Sequence, residues 1–225
     1  MEAEIPAPRE TPADRLLQGV GSLQGFAKAV LASFSRPYFR LKVEGVENVP
    51  RSGPLVLISN HESMWDVPLL VIAFPRPMIM MAKEAVHDTW YKDWFFSRLG
   101  SFPVERGSKD LQAMKRALAV VRSGKVLALF PEGTRHREGG LLPFLPGAAW
   151  IALAEGVPIL PAAVHGTGRI SPRGLLPIRR IPIRVTLGKP IAVEREASPR
   201  ARREKSVELT TVMRDRVERM LRPTV

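Results

Sequence analysis

The chain has 225 residues, 45% of them hydrophobic, which is enough apolar side chain for one sizeable core and within the range of a single domain. It contains no cysteine, so disulfides, thiolate metal sites and cysteine nucleophiles are excluded. Its 34 basic residues against 22 acidic ones give a formal charge of +12, which favours an anionic partner: a nucleic acid, a membrane surface or a phosphorylated substrate.

Residues 1–13 hold three prolines and little apolar side chain and read as a flexible lead-in. Their polar, acidic start is unlike a secretory signal, and no apolar run approaches the roughly 20 residues that cross a bilayer. The expectation is a protein that stays in the cytoplasm, soluble or attached to the cytoplasmic face of a membrane, with no transmembrane span. From Asp14 the apolar positions Leu16, Leu17, Val20, Leu23, Phe26, Val30, Leu31 and Phe34 recur every three or four residues. That spacing predicts an amphipathic helix over 14–35, whose apolar stripe serves either as core packing or as an in-plane membrane anchor.

Six short apolar runs follow, "FRLKVE", "PLVLIS", "PMIMMA", "KVLALF", "VPILPAAV" and "IPIRVTL". Between them lie stretches with helical periodicity at 66–74, 87–98, 108–122 and 147–155. Strands alternating with helices predict an α/β fold over residues 36–197: a single domain with a largely parallel central sheet flanked by helices. From Ser198 a stripe of Leu209, Val212, Met213, Val217, Met220 and Leu221 among many charges predicts a C-terminal helix over 198–225, packed on the domain.

In parallel sheets, residues that do chemistry collect in loops at the carboxyl ends of the strands, and two polar motifs fall there. "NHESMWD", residues 60–66, follows "PLVLIS". Across its turn Asp66 can hold one ring nitrogen of His61 protonated, leaving the other as a free base. The plainer alternative is that Asp66 only caps the helix it begins. Ser63 is too near His61 for triad geometry, no G-x-S-x-G elbow is present, and H-E-x-x-H fails because position 65 is Trp. Neither a metal nor a bound cofactor is expected. "FPEGTR", residues 130–135, follows "KVLAL". Pro131 and Gly133 bend the chain out of the strand and leave Glu132 and Arg135 free to enter the loop space, as site residues or as a structural ion pair. "GSFPVERG" adds Arg106 beyond another short apolar run.

Taken together, these stretches match a family pattern. "NHESMWD" resembles an N-H-x-x-x-x-D motif, "GSFPVER" a G-x-x-x-x-x-R block, "FPEGTR" an F-P-E-G-T-R signature and "VPILPAAV" a proline-containing fourth block, in that order. From about Val43 to Pro190 the chain resembles the glycerolipid acyltransferase family of 1-acylglycerol-3-phosphate acyltransferases. The resemblance implies that His61 is the general base for a substrate hydroxyl, oriented by Asp66, with the alkoxide attacking an acyl thioester and no covalent acyl-enzyme. It also implies that Arg106, Glu132 and Arg135 surround the acceptor's phosphate, with Gly133 and Thr134 shaping the loop. The implied co-substrates are acyl-CoA or acyl-carrier protein as donor and a lysophosphatidate-like acceptor. One departure stands out: "PFLPG" places Leu145 where the family commonly has lysine. The alternatives are the same chemistry on glycerol 3-phosphate, a lyso-phospholipid or a glycolipid, or a non-catalytic basic membrane-binding protein.

Nucleic acid is disfavoured, because aromatic and basic residues are not interleaved and no recognition motif appears. An anionic membrane surface is favoured by residues 156–193, which lack Asp and Glu but contain Arg169, Arg173, Arg179, Arg180, Arg184 and Lys189. The plainer reading of this segment is that "IPIRVTL" is an edge strand with solvated arginines.

Overall fold

The apolar run "LVLIS" shows no in–out alternation, as required of a strand buried on both faces of a parallel sheet, and all five of its residues are buried. It lies near the centre of a computed structural model that describes residues 20–83, 89, 90, 93, 97, 99–104, 111–136, 140–171 and 178–222. The elements in chain order are α1 (Val20–Tyr38), β1 (Lys42–Glu44), β2 (Leu55–Ser59), α2 (Asp66–Ala73), β3 (Met78–Lys83) and β4 (Ser101–Val104). They continue with α3 (Leu111–Arg122), β5 (Val126–Leu129), α4 (Gly147–Glu155), β6 (Ile159–His165), β7 (Arg184–Leu187) and α5 (Pro199–Leu221).

The seven strands form one sheet in the order β1-β7-β6-β2-β5-β3-β4. Every pairing is parallel except β6 with β7. Side chains alternate along each strand, so β2 divides between two cores. Leu55 and Leu57 pack with Leu69, Leu70 and Phe74 around α2, whereas Val56 and Ile58 pack with residues of α3, α4 and α5 such as Ala117, Ile151 and Met213. The result is a single α/β domain with a mostly parallel sheet covered by helices on both faces.

The helices expected at 66–74 and 147–155 match α2 and α4. That expected at 108–122 matches α3, with 108–110 outside the described residues, as are residues 1–19 and most of 87–98. At the tail, Ser198 caps α5 by accepting the Ala201 amide, and Pro199 occupies the first turn, where no amide is needed. The edge-strand reading of "IPIRVTL" is corrected: β7 lies between β1 and β6, and the edges are β1 and β4.

The side chains of α1 divide between the domain and the outside. Gln24 is buried, and its amide donates to the carbonyls of Met78 (2.9 Å) and Leu99 (2.9 Å) while accepting the Met78 amide (3.0 Å). Lys28 donates to the Phe74 carbonyl at the end of α2, and Ser35 is buried. The opposite side carries Phe26, Val30 and Phe34, with Phe26 68% and Phe34 57% exposed. Over residues 24–38, Gln24, Lys28 and Ser35 therefore face the domain together with Ala32 and Tyr38, which pack on the core, while Phe26, Val30 and Phe34 face outward.

Candidate functional site

β2 ends at Ser59, and the next residue fixes that end. The buried Asn60 side chain donates to the Val164 carbonyl (2.9 Å) and accepts the Val164 amide (2.8 Å), joining the carboxyl end of β2 to that of β6. His61 follows, 7% exposed, and its Nδ1 lies 2.9 Å from Oδ2 of the fully buried Asp66. The same Oδ2 accepts the amides of Glu62 (2.7 Å) and Ser63 (2.8 Å). These amides belong to the turn before α2, whose N-cap is Trp65 without a side-chain cap bond. The carboxylate thus serves the turn and the imidazole, and the helix-cap alternative is not what the geometry contains. The His61 ring also stacks on Phe130, with centroids 4.0 Å apart and planes 16° apart. Its Nε2 makes no hydrogen bond among the described residues and is not sealed from solvent.

The "FPEGTR" loop approaches from the end of β5, the strand beside β2. Glu132, 6% exposed, accepts the His61 amide on Oε1 (2.7 Å) and the Leu142 amide on Oε2 (3.0 Å). The His136 amide donates to the His61 carbonyl (2.9 Å). Gly133 has φ +67°, a backbone conformation that calls for glycine, and a Cβ there would lie 2.9 Å from Cδ1 of the exposed Leu145 side chain. Thr134 and Arg135 are exposed. Among the described residues, Glu132 and Arg135 do not form the ion pair that the sequence left open. Leu145 is tied to the loop by its amide bond to the Pro131 carbonyl (2.8 Å) and is 58% exposed. Arg106 lies outside the described residues. No group of three or more His, Asp or Glu among the described residues is arranged to hold a metal ion.

Sequence reasoning singled out His61, Asp66 and the "FPEGTR" residues but assigned nothing to Asn60, Glu62 or His136. The first two were inside the quoted motif, and His136 is the residue after the signature. Burial raises the pKa of the Glu62 carboxyl, and Asp66 nearby adds to the effect, while the Gly168 amide opposes it. Glu62 comes so close to the turn after β6 that a Cβ on Gly168 would lie 3.0 Å from its Oε2. A raised folded-state pKa means that this group's contribution to stability is full below the unfolded carboxylate range and is lost as pH rises through the folded pKa. Glu62→Gln keeps an acceptor for Gly168 and removes the charge. It should raise the melting temperature at neutral pH, with the gain vanishing below about pH 4, as paired thermal scans would show.

Fold and site together define a class: an α/β protein with a carboxylate-oriented imidazole at the carboxyl edge of a parallel sheet, an arrangement able to take a proton on Nε2. The family model described as Acyltransferase matches residues 40–165, a span that contains both motifs, and the chain belongs to that family. It is 34% identical over 159 residues to a chloroplastic 1-acyl-sn-glycerol-3-phosphate acyltransferase of Brassica napus, covering 69% of this chain and 46% of the relative. It is 29% identical over 165 residues to the 1-acyl-sn-glycerol-3-phosphate acyltransferase of Pseudomonas aeruginosa, covering 72% and 63%. The chain thus spans about half the length of the curated relatives it matches. The crystal structure of the 1-acyl-sn-glycerophosphate acyltransferase PlsC of Thermotoga maritima shares the fold, with TM-score 0.64, 22% identity and coverage of 85% of this chain and 80% of that one.

Proposed function

We propose that this protein is an O-acyltransferase that moves a fatty acyl chain from acyl-CoA or acyl-carrier protein to the free hydroxyl of a lysophosphatidate-like acceptor, as in phospholipid synthesis. The observation that carries this reading is the His61–Asp66 pair, 2.9 Å apart, with Nε2 unpartnered among the described residues. The relatives' names supply the substrate class.

In this reading, Nε2 of His61 takes the proton of the acceptor hydroxyl as its oxygen attacks the thioester carbonyl. Asp66 stabilises the imidazolium that forms. An ester C–O bond forms, the C–S bond breaks, and the proton passes from His61 to the departing thiolate, so no covalent acyl-enzyme and no bound cofactor are needed. Arg135, exposed beside the site, has the planar fork that suits phosphate oxygens, and the family resemblance gives Arg106 the same role. Gly133 and Thr134 shape the turn that presents Arg135.

Leu145 favours a second reading on the acceptor side, because an exposed leucine adjoins Gly133 where the family commonly has a cation. A less anionic acceptor, such as a lyso-phospholipid or glycolipid, suits that neighbour better than a phosphate monoester. An acyl-transfer assay with both donor types and a panel of lyso acceptors tests both readings. Transfer to lysophosphatidate supports the first, preference for another acceptor supports the second, and no transfer to any of them overturns the assignment.

The same reading puts the protein on the cytoplasmic face of an anionic membrane, where a long-chain acceptor resides. Among the described residues no helix is long and apolar enough to cross a bilayer. Its support is the outward stripe of Phe26, Val30 and Phe34 on α1, together with Met64 and Val67, which are exposed at the start of α2 a few residues after His61. The basic segment adjoins this stripe: Tyr38 at the end of α1 donates to the Ile178 carbonyl (3.1 Å), and Arg180 donates to the Tyr38 carbonyl (3.2 Å). Apolar side chains beside arginines suit a headgroup boundary, where each basic residue contributes about 1 kcal/mol on an anionic surface. Binding to anionic liposomes should weaken with added salt, and the Phe26→Asp, Phe34→Asp double substitution should abolish what salt leaves. Failure to bind at low salt would rule out this docking mode.

A further inference from the structure

The "FPEGTR" loop does more than adjoin His61, because it holds the His61 peptide at both polar groups. The amide is held by Glu132 at 2.7 Å and the carbonyl by the His136 amide at 2.9 Å. The preceding residue, Asn60, is locked to β6 through Val164. The position of the His61 backbone is therefore set from outside its own strand, and the ring is then aimed by Asp66 and Phe130. Glu132 occupies both oxygens with backbone amides, the second on Leu142 (3.0 Å), and is almost fully buried. An anionic side chain has no donor to offer a phosphate and repels it at close range, so contact with the acceptor's phosphate is a poor use of this residue.

We propose that Glu132 is a positioning residue for His61: its carboxylate ties the His61 amide to the Leu142 segment, and this bracket, not contact with the acceptor, is the part that the glutamate of "FPEGTR" plays. The inference rests on the reading of His61 as the base. Its chemical basis is that a general base works only within hydrogen-bond reach of the proton it removes, and that a displacement of about 1 Å costs on the order of 10²-fold in rate. It also separates the two charged residues of the loop by task. Arg135 is exposed and free to meet the acceptor, whereas Glu132 faces inward and holds the base.

The test uses the full chain with Glu132→Gln, Glu132→Asp, Arg135→Ala and His61→Ala, each checked for folding by circular dichroism. Gln is isosteric and keeps one acceptor oxygen but turns an NH₂ toward one of the two amides. It also removes a charge whose burial raises the Glu132 pKa, so the variant should fold. Asp keeps the charge and is one methylene too short to reach both amides. Both should lower kcat by about 10²-fold with the acceptor KM changed less than twofold, whereas Arg135→Ala should raise the acceptor KM. In proton NMR spectra, the imidazole Nδ1–H resonance, assigned by its loss in His61→Ala, should shift or broaden in both Glu132 variants. A raised acceptor KM with kcat preserved in Glu132→Gln would make Glu132 part of the phosphate site and overturn the proposal, as would an unmoved Nδ1–H resonance. Should His61→Ala retain full turnover, the base assignment fails, and the NMR comparison still decides whether Glu132 holds the ring.

Discussion

His61→Ala is expected to fold normally and to turn over about 10²- to 10⁴-fold more slowly, the loss typical of a missing general base. The fold should survive because the contacts that pin this stretch belong to the backbone and to other side chains. The residue 61 amide still reaches Glu132, its carbonyl still accepts the His136 amide, and Asn60 still bridges to Val164. What disappears is the ring: its stack on Phe130, its bond to Asp66 and its Nε2. Steady-state kinetics beside a thermal melt would separate the two effects. Near-normal turnover in a folded variant would end the proposed mechanism.

Different parts of the molecule were legible in the sequence for different physical reasons. α4 was readable to the residue because its apolar run is closed by Gly156, which takes the left-handed conformation that ends a helix. β2 was readable because burial on both faces leaves an uninterrupted apolar run. The neighbours of β7 were not readable. In "RVTL", Val185 and Leu187 are buried while Arg184 and Thr186 are less so, and such alternation reports which face is covered, not which strands lie on either side. The stripe of α1 shows the converse limit. Periodicity detects amphipathicity, but which side meets the domain was decided by the three hydrogen bonds of Gln24, which no pattern of apolar residues encodes. At the site, the two motifs announced their residues by type and position at strand ends. The role of Glu132 was hidden because its partners are backbone amides 71 and 10 residues away, and a backbone amide has no residue identity.

Asp66 is where sequence reasoning met two readings of equal form, since a carboxylate opening a helix can cap it or orient a neighbouring ring. The exchange that separates them is Asp66→Asn, because asparagine caps about as well as aspartate. As a cap, Asp66 could be replaced with little change in rate. In the observed geometry its Oδ2 accepts three N–H groups, from His61, Glu62 and Ser63, while Oδ1 is buried without a hydrogen-bond partner among the described residues. Asparagine must either keep its oxygen among the three donors and bury an unpartnered NH₂, or turn that NH₂ against them. A buried unsatisfied donor costs about 1–3 kcal/mol, so the melting temperature should fall. The first orientation also leaves the imidazolium of the proposed reaction without its counter-charge, and the second favours the wrong tautomer of His61. Either way kcat should fall by roughly 10³- to 10⁴-fold, as in triads where this carboxylate is neutralised. The rate loss should far exceed what the lowered stability explains at temperatures well below the melt. If the folded variant kept more than about a tenth of the parent rate, orientation by Asp66 would account for less than about 1.4 kcal/mol of barrier lowering, too little for the role proposed here.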